Sequence, residues 1–179
     1  MTIYLIRHGR TEANDNWLYC GSTDLSLSEK GREELQQLHY DIKEVRFLTS
    51  GVNRTDETLS LLFGDVPYET EPGFREINFG IFEMHSYDEL KDRRVYQIWL
   101  EGNNETNVPP QGESGAQMKM RVLNAFADLR EDTCVITHGG VIAAIMEHLF
   151  PEEGKNRYQW QPKPGGGYAI SDGMCYSKL

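Results

Sequence analysis

Two of the five histidines stand where an apolar run ends, and each is followed directly by glycine. His8 comes just after the run at 3–6, and His138 comes directly after the run at 134–137. In an open α/β sheet, ligands bind beyond the carboxyl ends of the strands, and neighbouring strands lie about 4.8 Å apart. Both imidazoles can therefore face one small ligand, and the adjacent glycines allow the backbone to approach it closely.

Other interpretations of these histidines stay open. Each one alone is typical of an ordinary strand-end residue that bonds to the backbone. Two histidines and a carboxylate would also suit zinc or iron. However, Arg7 lies next to His8 and would repel a dication, and no histidine pair has the HxxxH spacing of a helical metal site. We therefore predict no metal and no other cofactor.

Arginine beside histidine suits an anion instead. A guanidinium donates two parallel hydrogen bonds to phosphate and stays charged at any working pH, which makes Arg7 a candidate ligand. Arg54 is a second candidate, because it starts a predicted helix whose free backbone N–H groups would add to the attraction. Taken alone, Arg54 is also typical of a surface residue. Each positive charge about 4 Å from a phosphate oxygen contributes about 4 kcal/mol at an effective dielectric constant of about 20.

Strands and helices are predicted to alternate along most of the chain. Apolar runs and an Asp-Gly turn predict strands at 3–6, 45–50, 68–71, 134–137, 167–171 and 174–177. Amphipathic spacing and cap residues predict helices after Ser28, at 53–63, from Ser86 to Leu100 with a break near Arg93, after Ser114, and at 141–150. This order favours the α/β class, as a three-layer α/β/α sandwich with a mostly parallel mixed sheet.

The length of 179 residues predicts one domain over 1–179, since about 150 residues per domain is usual. Residues 81–112 are predicted to form a lid or specificity insertion. The segment 101–115 is polar and contains Asn103-Asn104 and two prolines, and it is too short to separate two cores.

Charge and cysteine content limit the partners. The chain has 18 Lys and Arg against 28 Asp and Glu, a net charge of −10, which argues against nucleic acid and against anionic membranes. The three cysteines lack the spacing of a metal site, and an odd number of cysteines does not indicate a disulfide framework. Both features predict a reducing, cytoplasmic location. The N-terminus lacks the long apolar region of a secretory signal, and no stretch approaches the ~20 apolar residues of a membrane span.

Four segments are informative as an ordered set. They are Leu-Ile-Arg-His-Gly-Arg-Thr at 5–11 with Asn14, Ser-Gly-Val-Asn-Arg at 50–54, Arg-Glu-Ile-Asn-Phe-Gly at 75–80, and Thr-His-Gly-Gly at 137–140. Together they resemble the signature, arginine, acid-loop and second-histidine motifs of the histidine phosphatase superfamily, the phosphoglycerate-mutase-like enzymes. The resemblance spans nearly the whole chain, and it implies the fold of those enzymes.

The resemblance also implies a reaction through phosphohistidine. His8 would be the nucleophile that attacks phosphorus. Glu76 would protonate the leaving oxygen and then, once ionised, deprotonate the water that hydrolyses the intermediate. The equatorial phosphoryl oxygens would be held by Arg7, Asn14, Arg54 and His138. The other substrate-binding residues would be Cys20, Gly21, Glu76 and Gly139. No metal is needed for this chemistry.

The chain departs from the family pattern at three positions. Thr55 and Asp56 follow Arg54 where small apolar residues are usual, and Asp56 would weaken the positive field there. Met84 stands where a glycine often ends the acid-loop motif.

Hydrolysis is favoured over mutase activity, because the long insertion and the basic tyrosine motif of such mutases are missing. The stretches at 96–100 and 110–114 are similar to those of α-ribazole phosphatases, so the expected partner is a small phosphorylated metabolite, with α-ribazole 5'-phosphate as one candidate. A phosphoglycerate mutase, a broad-specificity sugar phosphatase and a catalytically silent phospho-ligand binder are the alternatives. Either a monomer or a homodimer is compatible with the sequence.

Two aromatic or titratable residues near the expected substrate site have competing interpretations. Trp99 is either a buried anchor under the loop or a surface on which a base stacks. His85 is interpreted as a surface residue near a helix cap rather than as a contact to the leaving group.

Overall fold

The computed structural model describes residues 1–103 and 105–179. Its six strands are β1 (Thr2–Arg7), β2 (Arg46–Thr49), β3 (Glu69–Thr70), β4 (Thr133–Thr137), β5 (Gly167–Ser171) and β6 (Cys175–Lys178). They form a sheet in the order β3-β2-β4-β1-β5-β6. The first four strands in that order are parallel, β5 pairs antiparallel with β1, and β6 pairs antiparallel with β5. The predicted α/β class and mostly parallel mixed sheet are confirmed.

The eight α-helices of the described residues lie between and beside these strands. They are α1 (Glu12–Asp15), α2 (Glu29–Gln36), α3 (Asn53–Phe63), α4 (Tyr87–Leu90), α5 (Arg94–Leu100), α6 (Gly115–Ala127), α7 (Gly139–Leu149) and α8 (Arg157–Trp160). Within the residues that the structure describes, no helix combines the length and the apolar character needed to cross a membrane.

Side-chain alternation along the central strands builds a core on each face of the sheet. On β1, Leu5 packs into the cluster that contains the apolar side of α7, whereas Ile6 packs into a second cluster with Leu59 of α3. The same alternation places Val135 and Ile136 of β4 on opposite faces. Helices therefore cover both faces, which gives the three layers expected from the sequence.

The predicted helix caps are confirmed. Ser28 accepts a hydrogen bond from the amide of Gly31, and Ser86 and Ser114 each form a capping box. One boundary prediction was wrong. The helical spacing of Leu35, Leu38 and Ile42 predicts one apolar face through all three residues, but α2 ends at Gln36, so Leu38 and Ile42 lie outside the helix. The short helices α1 and α8 were not predicted, because four residues carry too little periodicity to detect.

The predicted insertion at 81–112 contains α4, α5 and a separate apolar cluster made of Phe82, Leu90, Tyr96 and Trp99. Trp99 is 8% exposed, and its indole N–H donates to the carbonyl of Asn107 at 3.2 Å. The anchor interpretation of Trp99 therefore holds. Residue 104, which the sequence placed in a loop, lies outside the described residues.

The strand register fixes the position of the site. Arg7 at the end of β1 is paired with Thr137 at the end of β4, and the amide of His8 donates to the carbonyl of Thr137 at 2.9 Å. The two histidines therefore follow the carboxyl ends of adjacent parallel strands, as predicted from the two apolar runs.

Replacing Leu5 by alanine is expected to lower the free energy of unfolding by roughly 2–5 kcal/mol, because the side chain is fully buried in the central strand and its loss leaves a cavity. Urea unfolding followed by circular dichroism measures the change. The control is Met120→Ala, since Met120 is 66% exposed on α6 and should change stability by less than ~0.5 kcal/mol. Equal losses in the two variants would contradict this assignment of the core.

Candidate active site

His8 is held as a neutral imidazole with one free nitrogen. Its Nδ1 lies 2.6 Å from the carbonyl oxygen of Gly9, which can only accept, so Nδ1 carries the proton and Nε2 keeps its lone pair. Burial lowers the pKa of His8 well below its ordinary value, and the charges of Arg54 and Arg7 lower it further. The Gly9 amide is anchored in turn to the hydroxyl of Thr58 at 2.9 Å.

His138 lies beside it as the N-cap residue of α7. The two ring centroids are 5.1 Å apart, and the rings meet edge to face at 64°. Its Nε2 lies 2.8 Å from the hydroxyl oxygen of Ser50, while its buried Nδ1 has no partner among the described residues. Burial lowers the pKa of His138 well below 6.5, with smaller contributions from the neighbouring arginines and from His8.

Two guanidinium groups lie at the same sheet edge without a carboxylate counter-ion. Arg54 is 1% exposed, and its two terminal nitrogens donate to the carbonyls of Gly21 and Thr23 at 2.7 and 2.8 Å. Arg7 donates to the carbonyl of Pro162 at 2.8 Å, and its Nε is buried without a partner in the described chain. Within that part of the chain, neither arginine has a carboxylate oxygen within 4 Å. Burying a cation without an anion is costly, so this arrangement suits an anionic ligand.

Glu76 faces the site from the loop that follows β3. One carboxylate oxygen accepts from the amide of Gly140 at 2.9 Å, in the first turn of α7, and the other accepts from the amide of Ile77 at 3.0 Å. A Cβ at Gly140 would lie 2.4 Å from Glu76 Oε1, so this position needs glycine for the carboxylate to reach the helix. The helix N-terminus thereby holds and orients the acid.

The Glu76 loop is fixed by Arg121 of α6, which sequence reasoning missed. Its guanidinium donates to the carbonyls of Gly73, Arg75 and Glu76, and it also pairs with Glu113. Arg121 thus satisfies three loop carbonyls at once. No local pattern signals this role, because the partners lie eight to 48 residues away along the chain.

Glu83 is a second residue that the sequence did not single out. Its carboxylate accepts from the amides of Gly21, Ser22, Thr23 and Phe79, and also from the Thr23 hydroxyl. Burial raises the pKa of Glu83, but these hydrogen bonds outweigh burial and hold the pKa below its ordinary value. Glu83 therefore fixes the turn whose carbonyls hold Arg54.

The other predicted ligands occupy the same region in different ways. The side-chain oxygen of Asn14 already accepts from the amide and hydroxyl of Thr11, so only its NH₂ group is left to donate. Cys20 is half-buried, and burial raises the pKa of its thiol. A Cβ at Gly139 would lie 3.3 Å from Arg7 Cζ, which places that glycine directly against the guanidinium.

Glycine at position 9 is required by packing, since a Cβ there would lie 2.6 Å from Leu35 Cδ1. One expectation about the backbone was wrong: the amide at the start of α3 is not free, because Asn53 N–H donates to Asp24 at 2.8 Å. The attraction at this helix therefore comes from the Arg54 side chain more than from the first amide.

The departures from the family pattern also have local consequences. Met84 adopts φ = 60°, the left-handed region that favours glycine, which explains why a glycine often stands there. Asp56 has one carboxylate oxygen buried without a partner among the described residues.

A cleft of about 320 Å³ opens beside Glu76. Its lining is aromatic and apolar on one side and includes Tyr19, Cys20, Phe79, Trp99, Met118 and Tyr158. Trp99 therefore both anchors the insertion and borders the cleft. His85 is not part of that lining, in agreement with its interpretation as a residue near a cap. Among residues 1–103 and 105–179, no group of three His, Cys, Asp or Glu side chains is arranged to hold a metal ion.

A sequence model of the histidine phosphatase superfamily (branch 1) matches residues 3–169. The chain belongs to this superfamily. An adenosylcobalamin/alpha-ribazole phosphatase of Escherichia coli (strain K12) is 28% identical, covering 100% of this chain and 94% of the relative. One of Salmonella typhimurium is 30% identical, covering 95% and 90%.

Solved structures agree with this assignment. A structure from Escherichia coli, provisionally named as an alpha-ribazole-5'-P phosphatase, superposes with a TM-score of 0.86 at 26% identity, covering 100% of this chain and 94% of the other. A phosphoglycerate mutase from Thermus thermophilus gives 0.80 at 27% identity, covering 100% and 98%. The predicted superfamily and its phosphoglycerate-mutase-like fold are confirmed, and the chain is a phosphatase.

The stability of this histidine phosphatase is expected to fall as the pH drops below about 6.5. The folded pKa values of His8 and His138 are lowered, so the unfolded chain takes up protons first, and stability is lost until the pH reaches the folded values. Each histidine contributes about 1.4 kcal/mol per pH unit in that window. Guanidinium unfolding at intervals between pH 5 and 7.5 measures the slope.

A matched pair of variants assigns the effect. His138→Asn should roughly halve the slope, whereas His39→Asn should leave it unchanged because His39 is exposed on the surface. A slope that is the same in all three proteins would show that the buried histidines do not cause it.

Proposed function

We propose that this protein is a metal-independent phosphomonoester hydrolase that works through a phosphohistidine intermediate. The observation that carries the proposal is the combination of a neutral His8 with a free Nε2 lone pair and two arginines, Arg7 and Arg54, that have no carboxylate partner in the described chain. A lone pair beside uncompensated positive charge suits attack on a phosphoryl group, whose charge is spread over several oxygens.

In the first step, His8 Nε2 attacks phosphorus and the bond from phosphorus to the ester oxygen breaks. Arg7, Arg54 and His138 are assigned to contacts with the phosphoryl oxygens, and the NH₂ group of Asn14 can donate to these oxygens as well. Glu76 gives a proton to the leaving oxygen, which departs as the neutral alcohol. Because both arginines are held by backbone carbonyls before the substrate arrives, little reorganisation is needed.

In the second step, the ionised Glu76 accepts a proton from water, and the oxygen of that water attacks phosphorus. The bond between phosphorus and Nε2 then breaks, inorganic phosphate leaves, and His8 is restored. The amide of Gly140 stabilises the carboxylate form of Glu76 between the two steps. One carboxylate thus acts as acid and then as base, and the overall reaction consumes one water.

The substrate is proposed to be a small phosphorylated metabolite with an apolar or aromatic leaving group, and α-ribazole 5'-phosphate fits this description. The aromatic lining of the cleft and the names of the full-length relatives support this choice. Cys20, Gly21 and Gly139 would border the bound ester. Residues 81–112 are proposed to act as the specificity insertion of a single domain, since they supply Trp99 to that lining.

Mutase activity is less well supported by the charges in the cleft. A mutase must hold a second anionic group of the substrate, but Arg157 at the cleft is already paired with Glu105 at 2.7 Å. Hydrolysis needs no such second cation. A silent binder would be favoured only if the acid and the nucleophile failed to turn over an ester.

The first test is hydrolysis of 4-nitrophenyl phosphate in the presence of a chelator. The wild-type protein is expected to be active and to show a phosphoryl group on His8 after rapid acid-free quenching and mass spectrometry. His8→Ala should lose at least 10³-fold in kcat, whereas His39→Ala serves as the surface control. Turnover that survives in His8→Ala would overturn the mechanism, and turnover that needs added metal would overturn its metal independence.

The role of Glu76 is tested by Glu76→Gln with two substrates. A poor leaving group needs the proton from Glu76, so kcat for an alkyl phosphate should fall roughly 10²–10⁴-fold. The fall for 4-nitrophenyl phosphate in the first step should be smaller, because nitrophenolate leaves without help; burst kinetics separate that step from hydrolysis. Equal losses in the first step for both substrates would remove Glu76 as the acid.

A further inference from the structure

Three buried side chains form a hydrogen-bonded chain behind the phosphoryl site. The hydroxyl oxygen of Ser50 lies 2.8 Å from His138 Nε2 and 3.3 Å from the hydroxyl oxygen of Thr55. Thr55 in turn donates to the carbonyl oxygen of Val52 at 2.7 Å. Ser50 and Thr55 are fully buried and His138 is 1% exposed, so water does not compete for these bonds.

Counting protons shows which group donates in each of these hydrogen bonds. The carbonyl of Val52 can only accept, so the single hydroxyl proton of Thr55 is used there. The contact between Thr55 and Ser50 therefore needs the proton of Ser50. Ser50 is then left as an acceptor, so the N–H that it receives must come from His138 Nε2. The opposite direction would leave two oxygen lone pairs facing each other at 3.3 Å in a dry site.

A neutral imidazole carries only one N–H, so the Nδ1 of His138 is bare in this arrangement. The same Nδ1 is buried and has no partner among the described residues. It can therefore accept a hydrogen bond from a ligand but cannot donate one. An unprotonated phosphoryl oxygen offers no proton to it, whereas a phosphate oxygen that still carries its proton does.

We propose that Thr55 and Ser50 are positioning residues that fix the tautomer of His138, so that the site selects phosphomonoesters as monoanions whose P–OH donates to His138 Nδ1. This inference rests on the proposed function of the site. In the first step the N–P bond to His8 forms and the ester P–O bond breaks, as before. The proton on the phosphoryl oxygen stays between that oxygen and Nδ1, and Glu76 still supplies the proton of the leaving alcohol.

The groups around His138 agree with a neutral ring. Burial lowers its pKa most, followed by the charge of Arg54 on α3. His8 and Arg7 from the end of β1 and Arg121 from α6 also act on its pKa, and the loop residues Arg75, Glu76 and Glu113 line the same pocket. The charges that lower its pKa come from Arg54, Arg121 and Arg7, so a second proton on His138 is disfavoured until an anion binds.

The tautomer is measured directly by long-range ¹H–¹⁵N correlation spectra of the ¹⁵N-histidine-labelled protein at pH 7.5, with His138→Asn to assign the resonances. We expect His138 as the Nε2–H tautomer and His8 as the Nδ1–H tautomer. In Thr55→Val, which keeps the side-chain shape but removes the hydroxyl, Ser50 is free to donate to Nε2, and the proton of His138 should move to Nδ1. Thr55→Ser should restore the wild-type pattern.

The control is Thr133→Val. Thr133 is also fully buried and also donates to a backbone carbonyl, but it lies at the opposite end of β4 from His138. If wild-type His138 carries its proton on Nδ1, or if Thr55→Val leaves the tautomer unchanged, the proposal is wrong. This measurement needs no turnover, so its failure is distinct from a failure of the phosphohistidine mechanism, which the trapping of His8 tests.

The selection of the monoanion is measured by kcat/KM between pH 6.5 and 8.5. A phosphomonoester loses its second proton near pH 6, so the wild-type value should fall about tenfold per pH unit, roughly 100-fold over this range. The fall should begin at lower pH for 4-nitrophenyl phosphate than for an alkyl phosphate, because the former is the stronger acid. In Thr55→Val the fall should be at least tenfold smaller.

If the fall in kcat/KM at high pH came from Glu76, it would occur at the same pH for both substrates, because Glu76 belongs to the enzyme. A fall whose pH does not change with the acidity of the substrate would therefore overturn the monoanion selection. We expect the pH of the fall to differ between the two substrates in wild type, Thr55→Ser and Thr133→Val, and the fall itself to be reduced in Thr55→Val.

Discussion

The constraint on which the rest of this site depends is the placement of two guanidinium groups, the buried one of Arg54 and the half-buried one of Arg7, with no carboxylate oxygen within 4 Å in the described chain. Arg54 is almost fully enclosed, and its two terminal nitrogens donate to the backbone carbonyls of Thr23 and Gly21. Carbonyl dipoles orient a cation but do not neutralise it, so the free protein keeps an uncompensated positive potential at this sheet edge. In a chain with a net charge of −10, such a potential has to be built locally, by tertiary structure that holds the facing carboxylate of Glu76 on the amides of Ile77 and Gly140, beyond ion-pair distance of Arg7.

Burial lowers the pKa values of His8 and His138 most, and the same two cations lower them further. A positive charge close to a buried imidazole disfavours the imidazolium. A neutral His8 is a nucleophile, whereas an imidazolium is not. The charge that attracts a phosphoryl group therefore also keeps the attacking nitrogen free, and one arrangement serves both binding and reactivity.

Acidic side chains stabilise this positive site from a distance by binding backbone amides and distant guanidinium groups. Glu83 gathers the amides of the turn at 21–23, whose carbonyls then point at Arg54. Glu113 pairs with Arg121, which holds the loop that carries Glu76. Because each of these carboxylates accepts from several donors of the scaffold, it does not pair with the guanidinium groups that face the ligand.

The sequence by itself determined the order of the strands and of the longer helices, the caps at Ser28, Ser86 and Ser114, and the meeting of His8 with His138, because apolar runs, cap residues and strand ends are local signals. Only the tertiary structure decided the contacts that set chemistry: the Ser50 hydroxyl on His138 across 88 residues, the five donors on Glu83, and the use of the Asn14 oxygen in a helix cap. A hydrogen bond between segments far apart in the chain depends on how the layers pack, and no periodicity within either segment encodes it.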